Sequence, residues 1–182
     1  LFYDDILAGQ MRISPQQFLG LIDNAQRLLD ADDTSFLFGQ RLLPGHYGAA
    51  SQALQQTGSL QQALELLIEM RALFSPMLAP RLLLDEQHAY IYWVDSIGAG
   101  PHWRFLVEAC MTAVVAMARW LSGQKLPWRF HFAHAQPRYI EQYWVHLGED
   151  LHFDSQLDML RLPREFMTDA WPSAALTAGT VA

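Results

Sequence analysis

Seven histidines and one cysteine are the side chains that could ligate a metal or attack an electrophile. His131 and His134 are the closest pair, but they stand three apart in an alternating run. On a strand that spacing sends the two rings to opposite faces, where they cannot chelate one ion. Hydrogen-bonded structural or surface histidines are the expectation, and no metal site. Cys110 lies in the uncharged apolar stretch 109–118, where burial raises a thiol's pKa and removes the thiolate a nucleophile needs. With no second cysteine there is no internal disulfide, which fits a reducing, cytoplasmic setting. Asp30, Asp32 and Asp33 suit turns and caps, because a calcium loop spreads ligands over about twelve residues and ends on a glutamate. Gly98-Ala99-Gly100 is followed by Trp103 where a dinucleotide fingerprint needs glycine. Neither a Gly-x-Ser-x-Gly nor a His-Glu-x-x-His run occurs. No cofactor and no catalytic constellation is expected, and an enzyme is the weakest of the readings kept.

The aromatic residues carry more. Six Trp and six Tyr bring N–H and O–H groups that seek partners when buried. Apolar rings with a few convergent polar tips are the usual lining of a small-molecule site. Tyr90, Tyr92, Trp93, Trp103, His131 and Tyr143 are the candidate ligand-lining residues, and His46 with Tyr47 a candidate lip. Ordinary core packing is the alternative for any one of them.

The elements that must position these residues are readable from periodicity. Ser14-Pro15-Gln16-Gln17 opens a helix with a capping box, and Ser59-Leu60-Gln61-Gln62 opens another in the same way. An aspartate among Asp30–Asp33 is expected to cap a short helix through Phe36 and Phe38 to Gly39, and a further short helix is expected over 51–56. Gly45 and Gly48 flank His46 and Tyr47 in a loop that calls for unusual backbone angles. Residues 81–84 and 88–94 alternate as a hairpin, with Ala89, Ile91 and Trp93 on one face and His88, Tyr90 and Tyr92 on the other. A helix over about 102–121 is apolar nearly all round, with Arg104, Glu108 and Arg119 its only charges, so it belongs in the core or in a subunit interface. Residues 128–134 read as a strand with Trp128, Phe130 and Phe132 on one face, and Pro137 as the opening of a helix through Ile140, Tyr143, Trp144 and Leu147. Short strands are expected at 151–153 and 159–162. Locally paired strands and segregated helices give an α+β fold: a mainly antiparallel sheet with a long central apolar helix and several flanking helices.

The chain has 182 residues, 51% of them hydrophobic and 17% charged, with a formal net charge of −7. That excludes a disordered chain, and phosphate would be repelled, so these residues are not expected to grip DNA themselves. The longest uncharged apolar run, 109–118, is short of the roughly 20 residues that cross a bilayer, so no membrane is expected.

Several runs together resemble one family: Gly39-Gln40-Arg41-Leu42-Leu43-Pro44-Gly45-His46-Tyr47-Gly48, then Ser59-Leu60 into Ala63-Leu64-Glu65-Leu66-Leu67, Leu73-Phe74-Ser75-Pro76, Trp120-Leu121-Ser122-Gly123, Phe130-His131-Phe132 with Pro137, Tyr143 with Leu147-Gly148, and Leu151-His152-Phe153. In this order, over about residues 12–166, they resemble the N-terminal effector domain of AraC-type transcription regulators, in the "arabinose-binding" subgroup rather than the cupin-type sensor. The resemblance implies an effector-binding or dimerisation domain over 1–166. Residues 167–182 would then be a linker toward a C-terminal helix-turn-helix pair, through which alone the whole protein would meet DNA. The implied partners are a small, partly apolar effector and a second copy in a homodimer. A dimerisation module without a ligand is the alternative.

Overall fold

The computed structural model describes residues 12–172. They fall into two compact units, divided after Ala31. The first contains helix α1, Pro15–Leu29. Its capping box forms as the spacing predicts: Gln17 N–H donates to the Ser14 hydroxyl, and the Gln17 side chain accepts from the Ser14 N–H at 2.9 Å.

The second unit begins with α2 (Thr34–Gly39), α3 (Ala49–Gln55), α4 (Leu60–Glu69) and the single turn α5 (Arg71–Phe74). Two capping expectations are corrected. Asp33 occupies the N-cap of α2 without a side-chain cap bond. At α4 Ser59 accepts from the Gln62 N–H, but the Gln62 side chain turns to the N–H of Gly58, so only half of a capping box forms. The glycine loop behaves as expected: Gly45 and Gly48 both take positive φ. The hairpin follows as β1 (Leu78–Leu84) and β2 (His88–Asp95), turned at Asp85, whose carboxylate accepts from the N–H groups of Gln87 and His88. Next come a 3₁₀ turn (Gly100–His102) and the long helix α6 (Trp103–Ser122). Strand β3 (Arg129–His131), α7 (Ile140–His146), β4 (Leu151–His152), β5 (Met159–Pro163) and a final 3₁₀ turn (Arg164–Met167) complete the described chain.

The strands form one five-stranded sheet in the order β1-β2-β5-β3-β4, antiparallel except for the β3–β4 pair. Alternation divides its faces. Ala89, Ile91, Trp93, Phe130, Leu160 and Leu162 are buried on the core side. His88, Tyr90, Tyr92, Arg129, His131, Met159 and Arg161 stand half-buried on the other. Each fully buried large side chain contributes about 2 kcal/mol of transfer free energy, which is why a one-residue slip of register is prohibitive.

Three boundaries differ from the periodicity. Strand β3 ends at His131, because the Ala133 N–H donates to the buried carboxylate of Asp158 at 2.9 Å and the chain bends there. That bend carries His134 off the strand, so the opposite-face argument about His131 and His134 no longer applies to it. Helix α7 starts at Ile140, three residues beyond Pro137. Packing continues past residue 166: Met167 and Trp171 are buried, and the Trp171 N–H donates to the Gly58 carbonyl at 2.8 Å. The rest of the stretch expected as a linker, from 173 on, lies outside the described residues. Counted with its leading 3₁₀ turn, the segment Gly100–Ser122 is long and apolar enough to cross a membrane; 72% of its most apolar window is buried within the protein, as for a core helix.

Helices α2 and α6 approach closely at one point. A Cβ on Gly39 would press on the carbonyl oxygen of Ala109 and come within 2.8 Å of the Thr112 Cβ. Gly39→Ala is therefore expected to lower stability by about 1–3 kcal/mol through overpacking, seen as a lower denaturant midpoint at unchanged slope.

Candidate functional site

Helix α6 carries three charges, Arg119 in its last turn and, near its start, Arg104 and Glu108 spaced i, i+4 on one face. Burying a carboxylate is costly unless each oxygen finds a donor. Glu108 is 3% exposed, and its partners come from three elements. Arg104 Nε donates to Oε1 at 2.9 Å from one turn earlier in α6. The Ser35 hydroxyl of α2 donates to Oε2 at 2.6 Å. The Tyr143 hydroxyl of α7 donates to Oε1 in a very short contact. Tyr143 in turn accepts from Arg104 Nη2 at 3.1 Å, which closes a triangle of guanidinium, phenol and carboxylate.

His134 stands beside this triangle, with Nε2 3.3 Å from the Tyr143 hydroxyl. Its Nδ1 faces the Ala135 carbonyl at 2.9 Å and so carries a hydrogen, which makes Nε2 the acceptor of the neutral ring. Tyr143 has one proton and gives it to Glu108, so it has none left to donate to His134 Nε2. Asp158 sets this geometry from behind: it accepts from the Trp103 indole N–H at 2.7 Å and from the Ala133 N–H, fixing the start of α6 to the bend that carries His134. Aromatic rings enclose the cluster. Phe36, Phe132 and Phe153 meet Tyr143 edge-on, with centroids 4.9–5.5 Å away. Arg104 keeps 35% of its side chain exposed and lies over the Tyr139 ring, 5.1 Å from its centroid.

Electrostatics fix the protonation states. Burial, and then the charge of Glu108, push the Tyr143 hydroxyl far above its ordinary range, so it stays a neutral donor. Burial opposes the charge on Arg104, but the hydrogen bond to Glu108 and the pairing with Tyr143 more than restore it. Neither Tyr143 nor Arg104 is therefore a poised nucleophile or base. What the cluster offers is a half-open guanidinium edge beside an aromatic face, backed by a buried carboxylate that competes for the same N–H groups.

The expected ligand-lining residues do not converge on one place. Tyr143 is in this cluster, and Trp103 supports it through Asp158. Trp93 lies in the core, where with Pro80, Cys110, Ala113, Val114, Leu42, Leu43 and Phe74 it lines a cavity of about 40 Å³ between the sheet and α6. That volume holds about one water, at about 30 Å³ each. Tyr47 packs its ring edge-on against Phe74 near this cavity, and His46 is exposed on the loop. Burial pushes the Cys110 thiol up to about 12, which keeps it protonated and inert. Tyr90, Tyr92 and His131 stand on the half-buried outer face of the sheet. The residues the aromatic reading missed are Glu108, Arg104, Ser35, His134, Tyr139 and Asp158. A signal for the first two was present: they are two of only three charges on an apolar helix.

With the fold and the cluster described, comparison with known proteins places the chain. Residues 3–170 match the family described as the arabinose-binding domain of AraC transcription regulators, N-terminal. The chain belongs to this AraC-regulator domain family. A curated relative of this AraC-type domain, the ornithine utilization regulator of Pseudomonas aeruginosa, is 25% identical over 157 residues, covering 86% of this chain and 46% of that protein. The crystal structure of the transcriptional regulator CdpR from Pseudomonas aeruginosa shares the fold, with a TM-score of 0.61 at 20% identity, over 94% of this chain and 56% of that one. The AraC-type domain thus spans about half the length of the regulators it matches.

Removing the Tyr143 hydroxyl takes one donor from a buried carboxylate. Tyr143→Phe is expected to cost about 1–3 kcal/mol. Glu108→Ala, which strands Arg104 and Tyr143, is expected to cost about 3–5 kcal/mol. Chemical denaturation of the two variants checks both the sizes and their order.

Proposed function

We propose that this chain is the regulatory half of an AraC-type transcription regulator, acting in the cytoplasm as a sensor of a small molecule and not as an enzyme. DNA would be bound only by a C-terminal helix-turn-helix half, since an acidic chain is a poor partner for phosphate. The observation that carries the reading is the Glu108 cluster. It ties α2, α6 and α7 through one buried charge, and it is open on the Arg104 side. An effector whose polar head takes the free N–H groups of Arg104, with its body on Tyr139, would weaken the hold on Glu108. That biases the packing of three helices at once. Differential affinity for the two packings is all that signalling requires.

The names of the family and of the relative supply the first effectors to try, arabinose and ornithine, within a wider panel of pentoses and amino acids. A true effector is expected to raise the thermal unfolding midpoint progressively with concentration. Tyr139→Ala, which leaves the Glu108 pairings in place, should abolish that rise. A panel without any response, or a response that survives Tyr139→Ala, overturns the assignment of the sensing site.

A second reading rests on a different face. The C-terminal half of α6 and α7 border a groove of about 550 Å³ lined by Val115, Ala116, Trp120 and Val145 together with the polar Gln40, Thr112, Arg119 and His146. Trp120 and Val145 are 59% and 75% exposed there, and Trp144 beside Val145 on α7 is 50% exposed. A patch of large apolar residues on one face favours self-association, so the domain would also dimerise. Sedimentation of the wild type should show a dimer that Trp120→Glu with Val145→Glu splits into monomers. A monomeric wild type overturns this reading.

A further inference from the structure

The outer face of the sheet holds a pairing that stability alone does not favour. Arg161 on β5 stands directly opposite Arg129 on β3 in the antiparallel register, with Tyr90 of β2 on its other side. Like charges directly across a ladder repel. The acidic groups nearby are already committed. Asp150 accepts from Arg129 Nε and pairs with His152 Nε2, each at 2.8 Å. Asp85 accepts from the N–H groups of Gln87 and His88 and from the Tyr90 hydroxyl. Among the described residues no carboxylate lies within ion-pair distance of Arg161.

A recess of about 190 Å³ opens at this point, lined by His88, Arg129, Asp150 and Arg161 on its polar side and by Pro127, Leu162 and Pro163 on its apolar side. Neighbouring His131 reports the local field. Burial lowers its pKa, and the charges of His152, Arg161 and Arg129 lower it further while Asp150 opposes them.

We propose that this recess is a binding site for a small carboxylate with a short hydrocarbon body. The guanidinium fork of Arg161, which also meets the Tyr90 hydroxyl across the ladder, matches a carboxylate with two parallel N–H donors. Arg129 adds positive charge from across the ladder. Pro127 and Pro163 cover the body of the ligand, and the volume corresponds to about six waters at about 30 Å³ each. The fixed carboxylate of Asp150 disfavours a dianion such as phosphate in so small a space. A bound carboxylate relieves the Arg129–Arg161 repulsion, so ligand binding and sheet stability are coupled here. The site shares no residue with the Glu108 cluster, and it goes beyond the effector-sensing reading without depending on it.

Calorimetric titration of this chain with butyrate and with benzoate, against inorganic phosphate and chloride, tests the proposal. Saturable binding of a carboxylate is expected, weakened about tenfold or more by Arg161→Gln and unaffected by Arg71→Gln on the exposed turn α5. A second readout separates binding from a structural role. Without any anion, Arg161→Gln should unfold at the same or a higher midpoint than the wild type, because it removes a repulsion. The proposal is overturned if no carboxylate saturates the site, if Arg161→Gln binds as well as the wild type, or if phosphate and chloride bind as tightly, an unspecific cationic patch. A lower midpoint for Arg161→Gln in anion-free buffer would make Arg161 a structural residue, and that too sinks the idea.

Discussion

A carboxylate inside an apolar helix must be satisfied by whatever packs against it, and that demand organises the second unit of this protein. Glu108 needs donors to both oxygens. Its own helix supplies one, Arg104, and the others must arrive from outside. Ser35 fixes the face that α2 presents, and Tyr143 fixes the height of α7. Hydrophobic burial brings these helices together but is indifferent to small slides and rotations. A hydrogen-bonded charge is not, because moving any donor by an ångström leaves a desolvated oxygen behind. The close approach of Gly39 to Ala109 and Thr112 acts in the same place by shape alone. Charge and shape thus specify one docking of α2 on α6.

This arrangement is a weak source of net stability. Desolvating an ion pair offsets most of its attraction, and well-packed apolar residues in its place often do as well. What the pair provides is sensitivity. An apolar core tolerates a nearby ligand with little change, whereas a cluster in which one guanidinium serves both a buried carboxylate and the solvent edge responds to any competitor for its N–H groups. A regulatory domain needs that property, and a purely structural domain does not.

Legibility in the sequence followed the range of the interactions. The hairpin, the amphipathic α1 and the long α6 depend on periodicity within ten or twenty residues, and the faces of β2 and β3 were readable because alternation alone decides them. The α+β class followed from the same patterns. The early end of β3 was not readable, because its cause is Asp158, 25 residues further on, which captures the Ala133 N–H. The half-formed capping box at α4 fails for a local reason the motif does not encode: the Gly58 N–H outcompetes that of Ser59 for the Gln62 side chain. The buried cluster around Glu108 was hidden behind the aromatic residues. Tyr143 drew notice as a ring, yet its role depends on Glu108, 35 positions away. A charge retained where the helix pattern asks for an apolar residue is a sharper pointer than an aromatic ring, since rings are plentiful in any core and unpaired buried charge is not tolerated.

The two polar sites of this unit differ in how they are left incomplete, and the difference bears on what each can do. At Glu108 both carboxylate oxygens have donors, so a ligand on the open side of Arg104 would act by competing for the guanidinium, and its effect would pass into the helices that share the charge. At Arg161 one cation is held beside another by the register of the sheet, with the Tyr90 hydroxyl at its side, and on our proposal a bound carboxylate completes it. Strand register cannot relax this by sliding, because a shift of one residue would expose Leu160 and Leu162 and bury Arg161 in their place. The sheet therefore holds Arg161 opposite Arg129, whose charge is shared with Asp150. On the two proposals, a ligand at Arg161 would stabilise the sheet without rearranging any helix, whereas a ligand at Arg104 would stabilise the domain and bias the packing of three helices as well.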